Sequence, residues 1–257
     1  MKLANLRRYA FLAGTFRNGV HLIRAYRSGE PCTEAVTWGG ARIAHPAGRG
    51  GMVGTLIELW HEECYTTDGF YRPVAGDVVL DVGAHVGLFS CWAVKQQAGL
   101  RVFAIEPDPE NFRCLGQNLA AMGAHHVVTR QWAIGLPGGY GRMHAATTRS
   151  IDHRLVPADA ESSGAVPVVG LDALVQLTGA DRIAFLKMDV EGSEYDAFEA
   201  ADPATLRRFD RIALEYHDNL RPGTLDLLTQ RLGPTHDLQV IPTEQRGYGI
   251  LLGKRRG

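Results

Sequence analysis

The sequence predicts an α/β chain organised on a mostly parallel sheet, and three observations carry that prediction. Residues 77–87 read D-V-V-L-D-V-G-A-H-V-G and lead into the apolar segment L-F-S-C-W-A-V. Val78, Val79, Leu80 and Val82 form a run that is apolar without alternation, the pattern of a strand covered on both faces, and the glycines after it turn the chain into a helix. Further along, short apolar runs alternate with helix-length segments, as in consecutive βαβ units with right-handed crossovers. The runs also end in polar groups: Asp81-Val-Gly83, Glu106-Pro107, Gln131-Trp132-Ala133, Asp189-Val-Glu191 and Glu215-Tyr-His217-Asp218. Ligands of an open parallel sheet bind at such carboxyl ends.

Taken in order, residues 1–29 interleave Leu3, Leu6, Phe11, Phe16, Leu22 and Ile23 with Arg7, Arg8, Arg17, Arg24 and Arg27. That spacing predicts one or two amphipathic helices docked by their apolar face. The glycine-rich stretch 39–54 is expected to be a hairpin or loop. Pro73 and Gly76 punctuate the chain just before the first buried strand. This divides the chain into a cap region, 1–73, and a catalytic domain, 74–257, with an excursion at 135–165. Within the domain, strands are expected at 101–105, 125–130, 183–188 and 211–216, and helices at 109–122 and 171–177. Pro222 opens a last helix, and 237–241 with 248–252 form a closing antiparallel hairpin. The excursion, rich in Gly, Ser, Thr and Ala, reads as loosely structured, with a strand near 142–145.

The 257 residues are 45% hydrophobic and 21% charged, an ordinary globular composition. A net charge of −1 gives no electrostatic footprint for nucleic acid. Cys32, Cys64, Cys91 and Cys114 show no C-x-x-C spacing, so neither a zinc ribbon nor a disulfide framework is expected. No run reaches the length of a membrane span and no secretory h-region opens the chain. The expectations are a cytoplasmic protein with no nucleic-acid partner, and homo-oligomers stay open.

The glycine turn narrows the ligand. A dinucleotide loop is G-x-G-x-x-G, since pyrophosphate needs bare amides and a helix N-terminus. Here the sequence is D-x-G-x-x-x-G, with Asp81 placed where a carboxylate would repel phosphate and suit an ammonium. That points to the methionine end of S-adenosylmethionine. Glu106, 23 positions beyond Gly83, is placed to accept ribose hydroxyls, and Ser90 with nearby amides to hold the methionine carboxylate. The expected cofactor contacts are Asp81, Gly83, Ala84, His85, Gly87, Ser90, Glu106, Pro107, Gln131, Trp132 and Ala133.

Five segments, V-L-D-V-G-A-H-V-G-L-F-S, A-I-E-P-D-P-E-N-F, V-P-V-V-G-L-D-A-L, F-L-K-M-D-V-E-G-S-E-Y-D-A-F and I-A-L-E-Y-H, occur in that order across 77–217. Together they resemble the signature blocks of FkbM-type methyltransferases. The resemblance implies a class I, Rossmann-like domain that uses S-adenosylmethionine, with seven strands of which the last pair is a hairpin. It also implies O-methylation of a hydroxyl on a sugar, glycan or natural-product scaffold. Two departures stand out: His85 replaces the usual Asn after Gly-Ala, and 135–165 follows no family pattern.

Methyl transfer needs a nucleophile held close and in line, and a hydroxyl also needs a base to take its proton. Asp189, Glu191 and His217 are the catalytic candidates. His217 is the expected base, because imidazole titrates near neutrality unaided, and Glu191 is expected to orient it or bind a substrate hydroxyl. The competing role for Asp189 and Glu191 is helix N-capping, and for His217 that of a satisfied strand-end histidine. A third reading assigns Asp189, His217, Asp218 and Asn219 to magnesium. Trp60, Tyr65 and Trp132 could stack on adenine or simply be core, and the polar run 147–153 could bind substrate. His125 and His126 read as surface residues. Rival functions are an N-methyltransferase, an NAD-dependent oxidoreductase and a cofactor-binding module without catalysis.

Overall fold

The computed structural model describes residues 3–145, 153–243 and 247–257. Helices α1 (Leu3–Thr15) and α2 (Gly19–Ser28) pair with each other, followed by the antiparallel strands β1 (Glu34–Val36) and β2 (Arg42–Ala44) and helix α3 (Met52–Trp60). The hairpin therefore lies earlier than the glycine-rich stretch suggested, and the second half of that stretch enters a helix.

The sheet proper begins at β3 (Val78–Val82), buried at every position. It continues through α4 (Leu88–Gln96), β4 (Arg101–Ile105), α5 (Pro109–Ala121) and β5 (Val128–Arg130). Helix α5 starts where its sequence dictates: the Asp108 carboxylate accepts the amides of Glu110 and Asn111, and Pro109 takes the first-turn position that needs no N–H. The third strand is shorter than expected, because 125–127 is spent on a turn into it.

The excursion is where sequence and structure part. Instead of a loose loop it contributes β7 (Tyr140–Ala145) and β8 (His153–Ala158), which pair antiparallel. With β6 (Ala133–Ile134) and β9 (Val166–Val169) they make a second sheet, ordered β6-β9-β7-β8. Polar, glycine-containing strands at the rim of a domain lack the apolar runs by which buried strands announce themselves.

The chain then returns through α6 (Leu171–Thr178), β10 (Phe185–Met188), α7 (Glu194–Ala200), α8 (Pro203–Leu206), β11 (Arg211–His217), α9 (Thr224–Leu232), β12 (His236–Pro242) and β13 (Tyr248–Arg255). The main sheet has seven strands in the order β12-β13-β11-β10-β3-β4-β5. β11, β10, β3, β4 and β5 run parallel, while β13 is antiparallel to β11 and to β12. This is the seven-stranded, mostly parallel sheet with a C-terminal hairpin that the resemblance implies. The order reverses between β3 and β10, which sets the binding crevice there.

Each face of the sheet has its own core. On one face α6, α7 and α9 deliver Leu171, Leu174, Phe198, Leu228 and Leu232. On the other, α4 and the N-terminal elements share one cluster that joins Leu12, Phe16, Leu56 and Tyr71 to Val79, Phe89 and Phe185. Tyr71 stacks on Phe185 at 4.4 Å. Trp60 belongs here too, stacked on Phe16 with its N–H donated to the Leu88 carbonyl at 2.9 Å, so it is core and not an adenine platform. No described helix is long and apolar enough to cross a membrane.

Candidate active site

The site is built on the loops that leave β3, β4 and β10. Gly83 has φ 74°, and a Cβ there would lie 1.7 Å from the Asp189 carbonyl oxygen. Glycine is required because the end of β10 presses on the loop. The amides of Gly83 and Ala84 both donate to the Ile105 carbonyl at 2.9 Å, which leaves neither bare for a pyrophosphate. His85 has φ 54° and gives its amide to Glu106 Oε2 at 2.8 Å. Asn and His are both enriched among non-glycine residues in this left-handed region, which accounts for the exchange at 85.

Asp81 differs from expectation. As the fourth residue of an all-buried strand it is 0% exposed and points inward. It accepts the Ser90 hydroxyl at 2.7 Å and pairs with Lys187 Nζ at 3.4 Å. Lys187 in turn donates to the Gly83 carbonyl at 2.6 Å. Asp81 and Ser90 thus pack beneath the loop and off the cleft wall, a correction that follows from β3 being covered on both faces, which leaves its fourth side chain no open side.

Above the loop lies a cleft of about 600 Å³. Of the expected cofactor contacts, Gly83, His85, Glu106, Pro107, Trp132 and Ala133 line it, whereas Asp81, Ala84, Gly87, Ser90 and Gln131 are not on its wall. Gln131 instead reaches the Pro107 carbonyl at 3.4 Å, and Gly87 is packed under Leu115, where a Cβ would come within 2.5 Å of Cδ1. Glu106 is buried, and burial pushes its carboxyl up to about 7 against the amides of Asp108 and His85, which favour the charged form. Met143 and Leu155, from the β7–β8 hairpin, close the cleft on another side.

The far wall carries Asp189, Val190, Glu191 and Ser193. Helix α7 starts with Ser193 at its cap position, so the capping role is not what places Asp189 and Glu191. Glu191 has φ 51°, a conformation that costs a non-glycine residue about 1–2 kcal/mol and is typical of functional loops. Burial, then the charge of Asp189, push its carboxyl up to about 9, with His217 pulling the other way. Asp189 Oδ1 has no hydrogen-bond partner among the described residues.

His217 lies behind this wall, its side chain 3% exposed. Nδ1 is 2.7 Å from Glu194 Oε1 and Nε2 is 3.4 Å from Glu191 Oε2. Burial disfavours the imidazolium, but the hydrogen bond and charge of Glu194, with Asp189 and Glu191, more than offset it and push His217 up to about 10. An imidazole that carries a proton at neutrality and does not reach the cleft is not positioned as the base; Glu191 stands between it and the ligand space.

Glu194, Tyr248 and Lys187 are site residues that sequence reasoning missed, and Glu215 was marked there only as a strand end. Tyr65, 3% exposed and off the cleft wall, donates to Glu215 Oε1 at 2.6 Å, and Tyr248 donates to Oε2 at 2.5 Å. Burial and the charge of Asp189 push Glu215 up to about 7 against those two hydrogen bonds. The signal for Glu194 was helical spacing: it shares a face with Ala197 and Phe198, and all three are fully buried. The polar run at 147–152 lies outside the described residues.

The magnesium set does not assemble as expected. Asp218 accepts the Leu225 amide at 3.0 Å at the start of α9, away from the cluster. Asp189, Glu215 and His217 do offer ligand atoms within 4.8 Å of one another. However, both Glu215 oxygens hold tyrosine hydroxyls, both His217 nitrogens face carboxylates, and Lys187 already acts on Asp189 and Glu215. These donors do not fit a divalent ion, and no step is derived through one.

Residues 81–235, more than half of the chain, match the family described as "Methyltransferase FkbM domain". The chain belongs to the FkbM methyltransferase family. It is 29% identical to the 31-O-demethyl-FK506 methyltransferase FkbM of Streptomyces tacrolimicus, over 70% of this chain and 79% of that one. It is 28% identical to the AMB antimetabolite synthetase AmbE of Pseudomonas aeruginosa over 63% of this chain, which spans 9% of that much longer protein. An O-methyltransferase from Bacillus cereus, solved in complex with SAH, is similar at a TM-score of 0.47 and 14% identity, over 82% of this chain and 84% of that one. As a member of the FkbM family, the chain is an S-adenosylmethionine-dependent methyltransferase.

Proposed function

We propose that this FkbM-family enzyme methylates a hydroxyl oxygen on a sugar, glycan or natural-product scaffold. The observation that carries the reading is the cleft itself, with Glu106 on one wall and the carboxyl groups of Asp189 and Glu191 on the other. When bound, S-adenosylmethionine supplies a methyl group already activated on a sulfonium. Glu106 is placed to accept the ribose hydroxyls, and Ile105, Pro107, Trp132 and Ala133 offer an apolar slot for the adenine.

What remains for the chain is to hold the acceptor and take its proton. An alcohol is a weak acid, so a base with raised proton affinity serves better than an ordinary carboxylate. Glu191 meets that need by burial beside Asp189, whose charge raises its proton affinity further. A hydroxyl acceptor is favoured over a basic amine because the wall invests in proton removal. The test is methyl transfer from radiolabelled S-adenosylmethionine to a panel of hydroxylated and amine acceptors. The expected result is labelled ether products that fall at least about a hundredfold with Asp189→Asn or Glu191→Gln. Transfer to amines alone would sink the reading.

A further inference from the structure

Behind the cleft wall sits a carboxylate that no ligand in the cleft can touch. Glu194, the first residue of α7, is 0% exposed. Its Oε1 meets His217 Nδ1 at 2.7 Å, and its Oε2 has no hydrogen-bond partner among the described residues. A first-turn acid that served only the helix dipole would sit in solvent. Burying a charge is costly unless it is paired, and here the pair is the imidazolium.

The ring lies between two carboxylates. The hydrogen bond between Nδ1 and Glu194 fixes the ring plane, and that leaves Nε2 3.4 Å from Glu191 Oε2, close enough for an ion pair; a carboxylate partner on one nitrogen is what commonly sets the job of the other. Among the described residues, the other charged and titratable groups around the ring are Asp189 just after β10, Glu215 from β11 and Tyr248 from β13, whose ring centre is 5.2 Å away. Lys187 acts on Asp189 and Glu215. Glu191 itself sits in a left-handed backbone conformation ahead of Gly192 at φ 99°, and the His217 ring meets its carboxyl group.

We propose that Glu194 is a positioning residue for methyl transfer: by clamping His217 it sets the place and the charged neighbour of Glu191 on the cleft wall. The inference rests on the reading of Glu191 as the group that meets the acceptor. It extends the reacting set inward to a Glu194–His217–Glu191 relay in which only the last member touches the ligand space.

The experiment compares the full-length protein with Glu194→Gln, His217→Asn and the double variant. The readouts are kcat against pH, S-adenosylhomocysteine affinity, and the ring ¹⁵N shifts of His217 against pH. Glu194→Gln is expected to lower the His217 titration by about one unit or more and to cut kcat at neutral pH by about tenfold. The kcat profile should move to higher pH, because the imidazolium that favours the charged form of Glu191 is weakened. Affinity for S-adenosylhomocysteine should stay within about twofold, and in the His217→Asn background the second change should alter kcat by less than about twofold. An unmoved His217 titration, or losses that multiply in the double variant, would overturn the role of Glu194 while leaving the site reading intact. Full turnover in Glu191→Gln would instead overturn the site reading itself.

Discussion

Gly83 and Glu106 show how much rests on single side chains, or on the lack of one. At Gly83 an added methyl meets the Asp189 carbonyl oxygen at 1.7 Å, and the backbone is already at φ 74°. Gly83→Ala is therefore expected to cost about 4 kcal/mol or more, a fall in Tm on the order of 10 °C for a chain of this size. A Tm within a degree of the parent would show that the loop yields easily. At Glu106 the burial of the proposed ribose acceptor is a strain on the unliganded fold. Its carboxyl binds a proton more tightly folded than unfolded, so ionising it above pH 7 works against the folded state. Glu106→Gln is expected to weaken S-adenosylmethionine binding by about tenfold or more while leaving the ligand-free Tm equal or higher at pH 8. Calorimetric titration and thermal melts measure the two halves separately. Sequence spacing was enough to find Glu106, but it could not tell which way Asp81 points. The motif marks a position on the strand, whereas the partners that turn the carboxylate inward, Lys187 and Ser90, come from another strand and the following helix.

Among the elements, the strand–turn–helix of β3 and α4 was legible because its signal is local: an apolar run, glycines, then an apolar helix. The β7–β8 hairpin was not. Its first strand mixes Gly, Arg and His with its apolar residues, and among the described residues β7 and β8 pair with each other and β7 with β9. Yet that hairpin sends Met143 and Leu155 into the cleft, beyond the loops of β3 and β4 that carry the proposed cofactor contacts. Leu155→Ala is expected to raise the acceptor KM by about tenfold, as for removal of several buried methylenes from a pocket, with S-adenosylhomocysteine affinity unchanged. An equal loss in both affinities would place the hairpin over the cofactor instead. His217 illustrates the same limit at a strand end: its residue type suggested a base, but its depth is set by Glu194 on α7 and Tyr248 on β13, which the local sequence of β11 does not announce.

For the molecule as a whole, the parallel βαβ units were readable from their rhythm and the seven strands with a closing hairpin from the family resemblance, whereas the strand order, its switch point between β3 and β10 and the placement of the cap on one face were not. The carboxyl-end cluster also gives the whole protein a pH signature. Glu106 and Glu215 move from 4.5 up to about 7, Glu191 from 4.5 up to about 9, and His217 from 6.5 up to about 10. Each group holds its proton more tightly in the folded chain, so the folded state binds more protons across those intervals and stability falls as pH rises through them. His45, pushed down to about 4 by burial, acts in the opposite sense and only below 6.5. Between pH 7 and 9 the Tm is thus expected to decline steadily. Over the same range turnover should climb as the Glu191–His217 pair gives up a proton, with an apparent constant belonging to the pair. A Tm that rises over that interval would mean the cluster is not charged as described.

The claim on which the rest depends is that the cleft between Glu106 and Asp189 receives S-adenosylmethionine. Calorimetric titration of the purified protein with S-adenosylmethionine, S-adenosylhomocysteine and NAD tests it most directly, with Glu106→Gln as the site control. The predicted result is saturable binding of both adenosyl ligands, weakened in the variant, and no heat from NAD. Binding of NAD, or adenosyl ligands that bind Glu106→Gln as tightly as the parent, would contradict the account.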